Sequence, residues 1–423
     1  MPLDLTRVPA PAERTWTTPD VFWPGLSAAT EALDPAFGVL HLPALRHNAH
    51  DLIRRAGGKP IRVASKSVRV RSVLDAVLAL PGYHGILAYT LPEALWLAEG
   101  DGEHPPIEDV VVGYPSVDRA AIARLAASPE LASRVTLMVD SVAHLDLIDA
   151  VVPPSRRETI RLCLELDSSW DAPVLGHIGV WRSPLHSPSS VRSVAEAIVA
   201  RPGFALVGMM GYEAQIAGQG DDPPGRPAWA ATLRWMQASS KSELLERRAE
   251  AVAAVRGIAE LEFVNGGGTG SLEFTASDDS VTEIAAGSGL FGGHLFDTYR
   301  SFRPAPAASF ALAVVRRPAP DTATLLGGGW IASGPPGDDR MPRIAWPTGL
   351  SLVPREMAGE VQTPVTGAAA GVLRLGDRVW LRHTKSGELS EHVDDFHLVD
   401  AVDGRFRLVG STPSYRGEGK VFL

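Results

Sequence analysis

A lysine closes a short apolar run in Ile61-Arg-Val-Ala-Ser-Lys66-Ser67. At the end of a buried strand its charge must be hydrated, paired or used chemically. A desolvated amine loses its proton more readily and becomes a better nucleophile toward a carbonyl. A surface lysine opening a loop fits the local pattern equally well. Further on, Val264-Asn-Gly-Gly-Gly-Thr-Gly-Ser271 places glycines and two hydroxyls behind another apolar run. Successive backbone N–H groups in such a turn can form a nest for phosphate, with Gly267, Gly268 and Thr269 as the contact residues. A plain turn is the alternative. The segment matches neither a Walker motif nor a dinucleotide fingerprint. Ala285-Ala-Gly287-Ser288-Gly289 is a second small-residue segment that could meet the same phosphate from another side. A lysine on one strand and phosphate nests after others describe a phosphorylated aldehyde held as a Schiff base. That is the chemistry of pyridoxal phosphate.

The elements needed to position these groups follow a rhythm. Apolar runs at Gly38–Leu42, Ile61–Ser65, Gly85–Tyr89, Asp109–Gly113, Val135–Asp140, Ile160–Asp167, Ala205–Gly211 and Glu262–Val264 suit buried parallel strands. Helical stretches at Leu45–Ala56, Val68–Leu80, Leu91–Ala98, Val117–Ala127, Val191–Ala200 and Trp229–Val255 separate many of them. The spacing predicts an α/β fold built on a (β/α)8 TIM barrel, with a doubly wound open sheet as the alternative. In such a barrel, functional groups gather where strands end. Tyr212 and Glu213 follow one strand. Asp167 follows another and could pair with Arg182 or lie solvated at the rim. Residues 1–34, rich in proline, read as an arm, and residues 35–298 as the barrel. Residues 299–423 read as a C-terminal all-β domain, with runs at Ser309–Val315, Thr322–Leu326, Val379–Leu381, Phe396–Val399 and Arg405–Val409. Part of the arm could add a strand to that domain.

The 423 residues are 45% hydrophobic and 21% charged, which excludes a mainly disordered chain. A net charge of −9 gives no field for holding nucleic acid. Cys163 is the sole cysteine, so an intramolecular disulfide and a CxxC metal site are excluded. No signal pattern and no membrane-length apolar run is present. The expectation is a soluble cytoplasmic protein acting on a small molecule, with neither nucleic acid nor membrane as partner.

With those residues in view, the chain resembles the fold-type III pyridoxal-phosphate enzymes with an alanine-racemase-like barrel. It is most similar to their D-threonine aldolase and D-serine dehydratase branch. The likeness spans most of the chain. It rests on Arg62 four residues before Lys66, on Gly266-Gly-Gly-Thr-Gly270 as phosphate loop, on Glu283-Ile-Ala-Ala-Gly-Ser-Gly289, and on Asp297-Thr-Tyr299. Ala64 departs from a family histidine, and Tyr212-Glu213 stand where histidine and glutamate are usual. The resemblance implies that Lys66 is the Schiff-base lysine and that Arg62, Tyr212, Gly267, Gly268, Thr269, Gly287 and Ser288 bind the cofactor. It implies a lyase on D-3-hydroxy amino acids, by aldol cleavage or dehydration, and a homodimer. An amino acid racemase is the alternative, with Tyr299 or Tyr415 as second base.

The branch holds a divalent metal, zinc or manganese, on a His-x-Cys or His-x-Asp pair in the β domain. Here the matching stretch is Arg382-His-Thr-Lys-Ser-Gly-Glu388, which places Lys385 on the second ligand position. Three readings follow from the resemblance: a metal on His383 with Glu388, a metal on His392 and Asp394, or Lys385 replacing the cation. His383 and Lys385 are then the groups that act on the substrate hydroxyl. The tail Tyr415-Arg-Gly-Glu-Gly-Lys420 resembles endings of an amino acid deaminase/aldolase subgroup.

Overall fold

The computed structural model describes residues 3–173, 175–335, 337–402 and 404–423; Met1 and Pro2 of the expected arm lie outside them. The chain divides into two compact units. One comprises residues 52–66, 78–287 and 422–423, the other residues 1–51, 67–77 and 288–421.

In the first unit the strands Ile61–Ala64, Tyr83–Ala88, Val110–Val112, Val135–Val139, Ile160–Glu165, Phe204–Gly211, Phe263–Gly266 and Glu283–Ala286 close into a parallel barrel. Their mostly buried, β-branched and apolar residues are what a sheet covered on both faces requires. Side chains alternate along a strand. Val111, Met138, Cys163, Val207, Met210 and Phe263, from five strands, meet in one cluster inside the barrel. Phe263 needs the space beside Gly208, where an added Cβ would come within 2.2 Å of its ring. Below the mouth, the buried Arg62 guanidinium ties three strands together. It donates from Nε to Glu283 Oε1 (2.6 Å) and from both terminal nitrogens to Asp109 (2.8 Å each). Asn265 Nδ2 donates to the same Glu283 (2.8 Å). Burial alone would lower the Arg62 pKa; Glu283 and Asp109 outweigh it and raise it.

The barrel is as expected, but its membership differs at one strand. Gly38–Leu42, expected as the first barrel strand, forms most of Phe37–His41, which lies in the other unit's sheet, antiparallel to Ala308–Ala319 and parallel to Asp395–Val402. Its place in the barrel is taken by Glu283–Ala286, which pairs with Ile61–Ala64 and Phe263–Gly266. A short apolar run does not say which sheet buries it. Glu283-Ile-Ala-Ala286 opens on a charge that Arg62 and Asn265 make tolerable inside. Lys66 therefore follows the first barrel strand rather than the second.

The second unit holds a mostly antiparallel sheet in the order Ser351–Leu352, Gln362–Thr366, Thr322–Leu326, Ala308–Ala319, Phe37–His41, Asp395–Val402, Arg405–Pro413. Arg378–Arg382 pairs with Ala308–Ala319 and with Arg343–Trp346. The early proline-rich segment is helical rather than extended. Its Pro19–Ala29 helix sets Phe22, Trp23 and Leu26 against Phe37, Trp380 and Val399. His41 lies in this core, its ring against Phe22, Phe406 and Trp16, and Nδ1 accepts the Ala44 N–H (3.3 Å).

Burial drives the His41 pKa down to about 3, and burial likewise takes His294 to about 4. Both stay neutral in the folded state while an unfolded chain protonates them near 6.5. Stability is thus full above that value and is lost as pH falls through the window down to 4, by up to ~1.4 kcal/mol per pH unit per histidine. Denaturant unfolding at pH 7, 5.5 and 4.5 should show this decline. His41→Phe should flatten it; an identical slope in the variant would refute the assignment.

Candidate active site

Two residues beyond the apolar cluster, the strands carry polar groups toward the C-terminal end of the barrel. Met138 leads to Asp140, Cys163 to Glu165 and Met210 to Tyr212. Lys66 sits in the short 3-10 turn Ser65–Ser67 that follows Ile61–Ala64. Its half-buried ammonium donates to Tyr114 Oη at 2.8 Å. Tyr114 comes two residues after the strand Val110–Val112. The Arg182 guanidinium lies over two rings, 5.6 Å from the Tyr114 centroid and 5.2 Å from that of Tyr212. Lys66 and Tyr212 thus flank one aromatic and cationic group. Burial pushes the Tyr212 phenol up to about 12, against the pull of Arg182, so at neutral pH it is a hydrogen-bond donor rather than a base.

Asp167 does not pair with Arg182. It accepts from the Ser169 hydroxyl (2.6 Å) and lies 3.0 Å from His186 Nδ1. Two carboxyls not singled out in the sequence have raised pKa values, and one of them, Glu165, feels the arginine. Burial raises Glu165 to about 7, opposed by Arg182 and reinforced by Asp140 and Asp167. Burial also raises Asp140, opposed by His144.

The glycine loop is built, but not as an open nest. Gly267 takes φ +84°, which a side chain would strain. Its N–H donates to Glu213 Oε2 (3.0 Å), and the Gly268 N–H donates to Ser271 Oγ (3.1 Å). Two of the N–H groups expected to face a phosphate are therefore already taken. Glu213, fully buried, also accepts from Thr275 Oγ1 (2.6 Å) and faces Arg248 (3.8 Å). It anchors the loop instead of facing the mouth. Thr269 is buried, and its carbonyl accepts from Arg55 (2.8 Å). Gly287 is small for a packing reason: a Cβ there would lie 2.3 Å from the Ala64 carbonyl oxygen. Ser288 opens the short helix Ser288–Phe291. Arg62, expected on the cofactor, has its guanidinium directed to Glu283 and Asp109 instead.

In the other unit, His383 is 1% exposed; the Ala308 backbone lies beside its ring, and among the described residues neither ring nitrogen meets a partner at full hydrogen-bond geometry. Phe291 stands edge-on to it at 6.4 Å. Burial lowers the His383 pKa, with Glu388 opposing. Glu388 accepts the N–H of Lys385 (2.7 Å) and of Ser386 (2.8 Å), one on each oxygen. Burial works to raise its pKa; His383 and these N–H groups outweigh it and hold it low. The half-buried Lys385 is thus part of a tight turn closed by Glu388. The alternative metal pair is engaged elsewhere. His392 stacks flat on Trp330 (4.9 Å, 4°), and Asp394 pairs with Arg416 (2.9 Å). Among the described residues no three His, Cys, Asp or Glu side chains are grouped to hold a metal ion. Tight sites use three or more donors. His383 with Glu388 supplies two donors, the number in the pair that the resemblance implies, and each Glu388 oxygen also accepts one backbone N–H. Tyr299 is buried against Phe296 and Phe302, and Tyr415 is 1% exposed.

The model of the alanine racemase N-terminal domain family matches residues 40–294, more than half of the chain. The chain belongs to this family. Its barrel is the fold-type III pyridoxal-phosphate barrel. A 3-hydroxy-D-aspartate aldolase of Paracoccus denitrificans is 28% identical over 263 residues, 60% of this chain and 59% of the relative. The match thus spans under two thirds of the curated relative's length. Among solved structures, a D-threonine aldolase from Filomicrobium marinum superposes with a TM-score of 0.73 at 18% identity, covering 92% of this chain and 96% of that one. A D-threo-3-hydroxyaspartate dehydratase from Delftia sp. HT23 gives 0.66 at 19% identity, covering 90% and 97%. At such identities the likeness is one of fold. Among the described residues no helix is long and apolar enough to cross a membrane.

Sequence reasoning missed Tyr114, Asp140 and Glu165. Each sits at a strand end, at the second position past a residue of the inner cluster or immediately after a glycine that closes the strand. Reading every strand exit by that alternation would have found them.

Proposed function

We propose that the protein is a pyridoxal-phosphate-dependent lyase that cleaves or dehydrates D-3-hydroxy amino acids. The observation that carries the reading is Lys66, an amine held by Tyr114 at a barrel strand end in a chain related to a 3-hydroxy-D-aspartate aldolase. Lys66 would hold the cofactor. Tyr212, Gly267, Gly268, Thr269, Gly287 and Ser288 would shape its surroundings, with Gly267 and Gly268 acting through loop shape, since their N–H groups are taken. When bound, the cofactor supplies an electron sink for charge left at the substrate Cα. Tyr212 donates a hydrogen bond, and Arg182 offers a substrate carboxylate a planar fork already stacked on two rings. His383 and Lys385 are proposed to hydrogen-bond the substrate hydroxyl and orient it. A divalent metal, if held, would take His383 and Glu388 as its donors, and no proposed step is routed through it. A cytoplasmic homodimer completes the reading, with the barrel in the unit of residues 52–66, 78–287 and 422–423, inside the expected bounds of 35 and 298. It is supported by family resemblance.

The products decide between reactions. Purified protein with added pyridoxal phosphate is expected to convert 3-hydroxy-D-aspartate to glycine and glyoxylate, or to oxaloacetate and ammonia. Formation of the L-isomer alone would overturn the lyase reading in favour of a racemase. No conversion of the D-isomers of 3-hydroxyaspartate, threonine or serine would overturn both.

A further inference from the structure

We propose that Asp140 and Glu165 form a carboxyl pair that carries one proton in the mouth of the barrel and exchanges it with the bound amino acid. The inference rests on the lyase reading and names the groups that would move its protons.

The pairing follows from register. Val135–Val139 and Ile160–Glu165 are neighbouring parallel strands with Val139 opposite Leu164. Asp140 and Glu165 are the next pair along, at the end where functional groups gather. Each lies two residues past a member of the inner cluster, Met138 or Cys163. They are 8% and 4% exposed. Among the described residues no hydrogen bond or ion pair reaches the Glu165 carboxyl; its backbone carbonyl alone accepts, from Ser183 (2.6 Å). A buried carboxylate without partners is costly, and two neighbouring carboxylates disfavour each other's charge. One proton between them removes both penalties. The groups that face Glu165 are Arg182 from the loop beyond its own strand, Asp140 from the adjacent strand end, and Asp167 from the turn that follows. His144, on the helix after Asp140, has Nδ1 3.2 Å from Asp140 Oδ1 and favours the charge on that member. Glu165 is therefore the protonated one. The direction and size of its shift, to about 7, agree with this.

One acid beside one base is what either reaction needs. In aldol cleavage the carboxylate takes the hydroxyl proton as the Cα–Cβ bond breaks, and the carboxylic acid returns a proton to Cα. In dehydration the carboxylate takes the Cα proton, and the acid protonates the departing hydroxyl as water. Either way the pair ends with the single proton it began with.

The test uses cofactor-loaded wild type, Glu165→Gln and Asp140→Asn, read by pH profile and by infrared titration. Wild type should show a limb in kcat/KM near pH 7 and the C=O band of a protonated carboxylic acid that fades over the same range. Glu165→Gln should keep the cofactor absorbance, lose the limb and the band, and lose on the order of 100-fold in kcat with a smaller change in KM. Asp140→Asn removes the like charge and should move limb and band to lower pH. A wild type without the band overturns the pair. So does a Glu165→Gln enzyme with unchanged kcat and limb. A wild type that shows the band but turns over no D-3-hydroxy amino acid overturns the lyase reading instead.

Discussion

Lys66→Ala should produce a colourless protein that no longer turns over a D-3-hydroxy amino acid. The expected loss is more than about a thousandfold, because the substitution removes both the nucleophile that holds the cofactor and a group able to move a proton. The fold should survive. Lys66 is half-buried in a short turn, and the Tyr114 hydroxyl to which it donates at 2.8 Å can turn to water when the amine is gone. Circular dichroism and the denaturation midpoint should match wild type while absorbance and turnover vanish. Lys66→Arg keeps the positive charge beside Tyr114 but not the nucleophile, so it should be as inactive as alanine. If Lys66→Arg restored turnover, the role would be electrostatic and the covalent assignment wrong.

Glu213→Ala should be the most damaging single change to the glycine loop. Glu213 is fully buried and is the shared acceptor for the Gly267 N–H and the Thr275 hydroxyl. It also stands opposite Arg248, itself 1% exposed, whose remaining carboxylate neighbour is Asp278 at 3.0 Å. Removing Glu213 leaves Arg248 with Asp278 alone and strips the Gly267 N–H and the Thr275 hydroxyl of their acceptor, at a cost on the order of 3 kcal/mol. The loop should lose its positive-φ geometry at the same time. Cofactor affinity, titrated by absorbance, should therefore fall by more than about tenfold, as about 1.4 kcal/mol of lost preorganisation already gives that factor. Glu213→Gln retains one acceptor oxygen and should lie between wild type and alanine. A Glu213→Ala protein of normal stability would refute the anchoring role. Normal stability should not be confused with normal cofactor affinity, so both are measured.

Much of this was legible from residue order. The barrel rhythm, Lys66 at a strand exit and the glycine loop at 266–270 follow from strand-length apolar runs and from residue types that a strand interior would not tolerate. The β-domain strand at Thr322–Leu326 coincides with its expected span. What escaped depends on contacts between distant segments. Phe37–His41 is as apolar as any barrel strand, and its neighbours Ala308–Ala319 and Asp395–Val402 decide its sheet. Glu283–Ala286 looked like a loop because its charge is satisfied by a residue over two hundred positions earlier, Arg62 (separation 221). The same pairing turned Arg62 from an expected cofactor contact into a tie between strands. The roles of Gly267 and Gly268 changed for a similar reason: their N–H groups meet Glu213 and Ser271, and no local pattern announces that.

The central claim is that Lys66 holds an aldehyde cofactor which reports the arrival of a D-3-hydroxy amino acid. Its most direct test is the visible absorption spectrum of the purified protein, loaded with pyridoxal phosphate, before and after D-threonine or 3-hydroxy-D-aspartate is added. The account predicts a yellow protein whose band shifts with a D-isomer and not with the L-isomer. A protein that stays colourless with added pyridoxal phosphate, or whose band ignores every D-isomer, would contradict it.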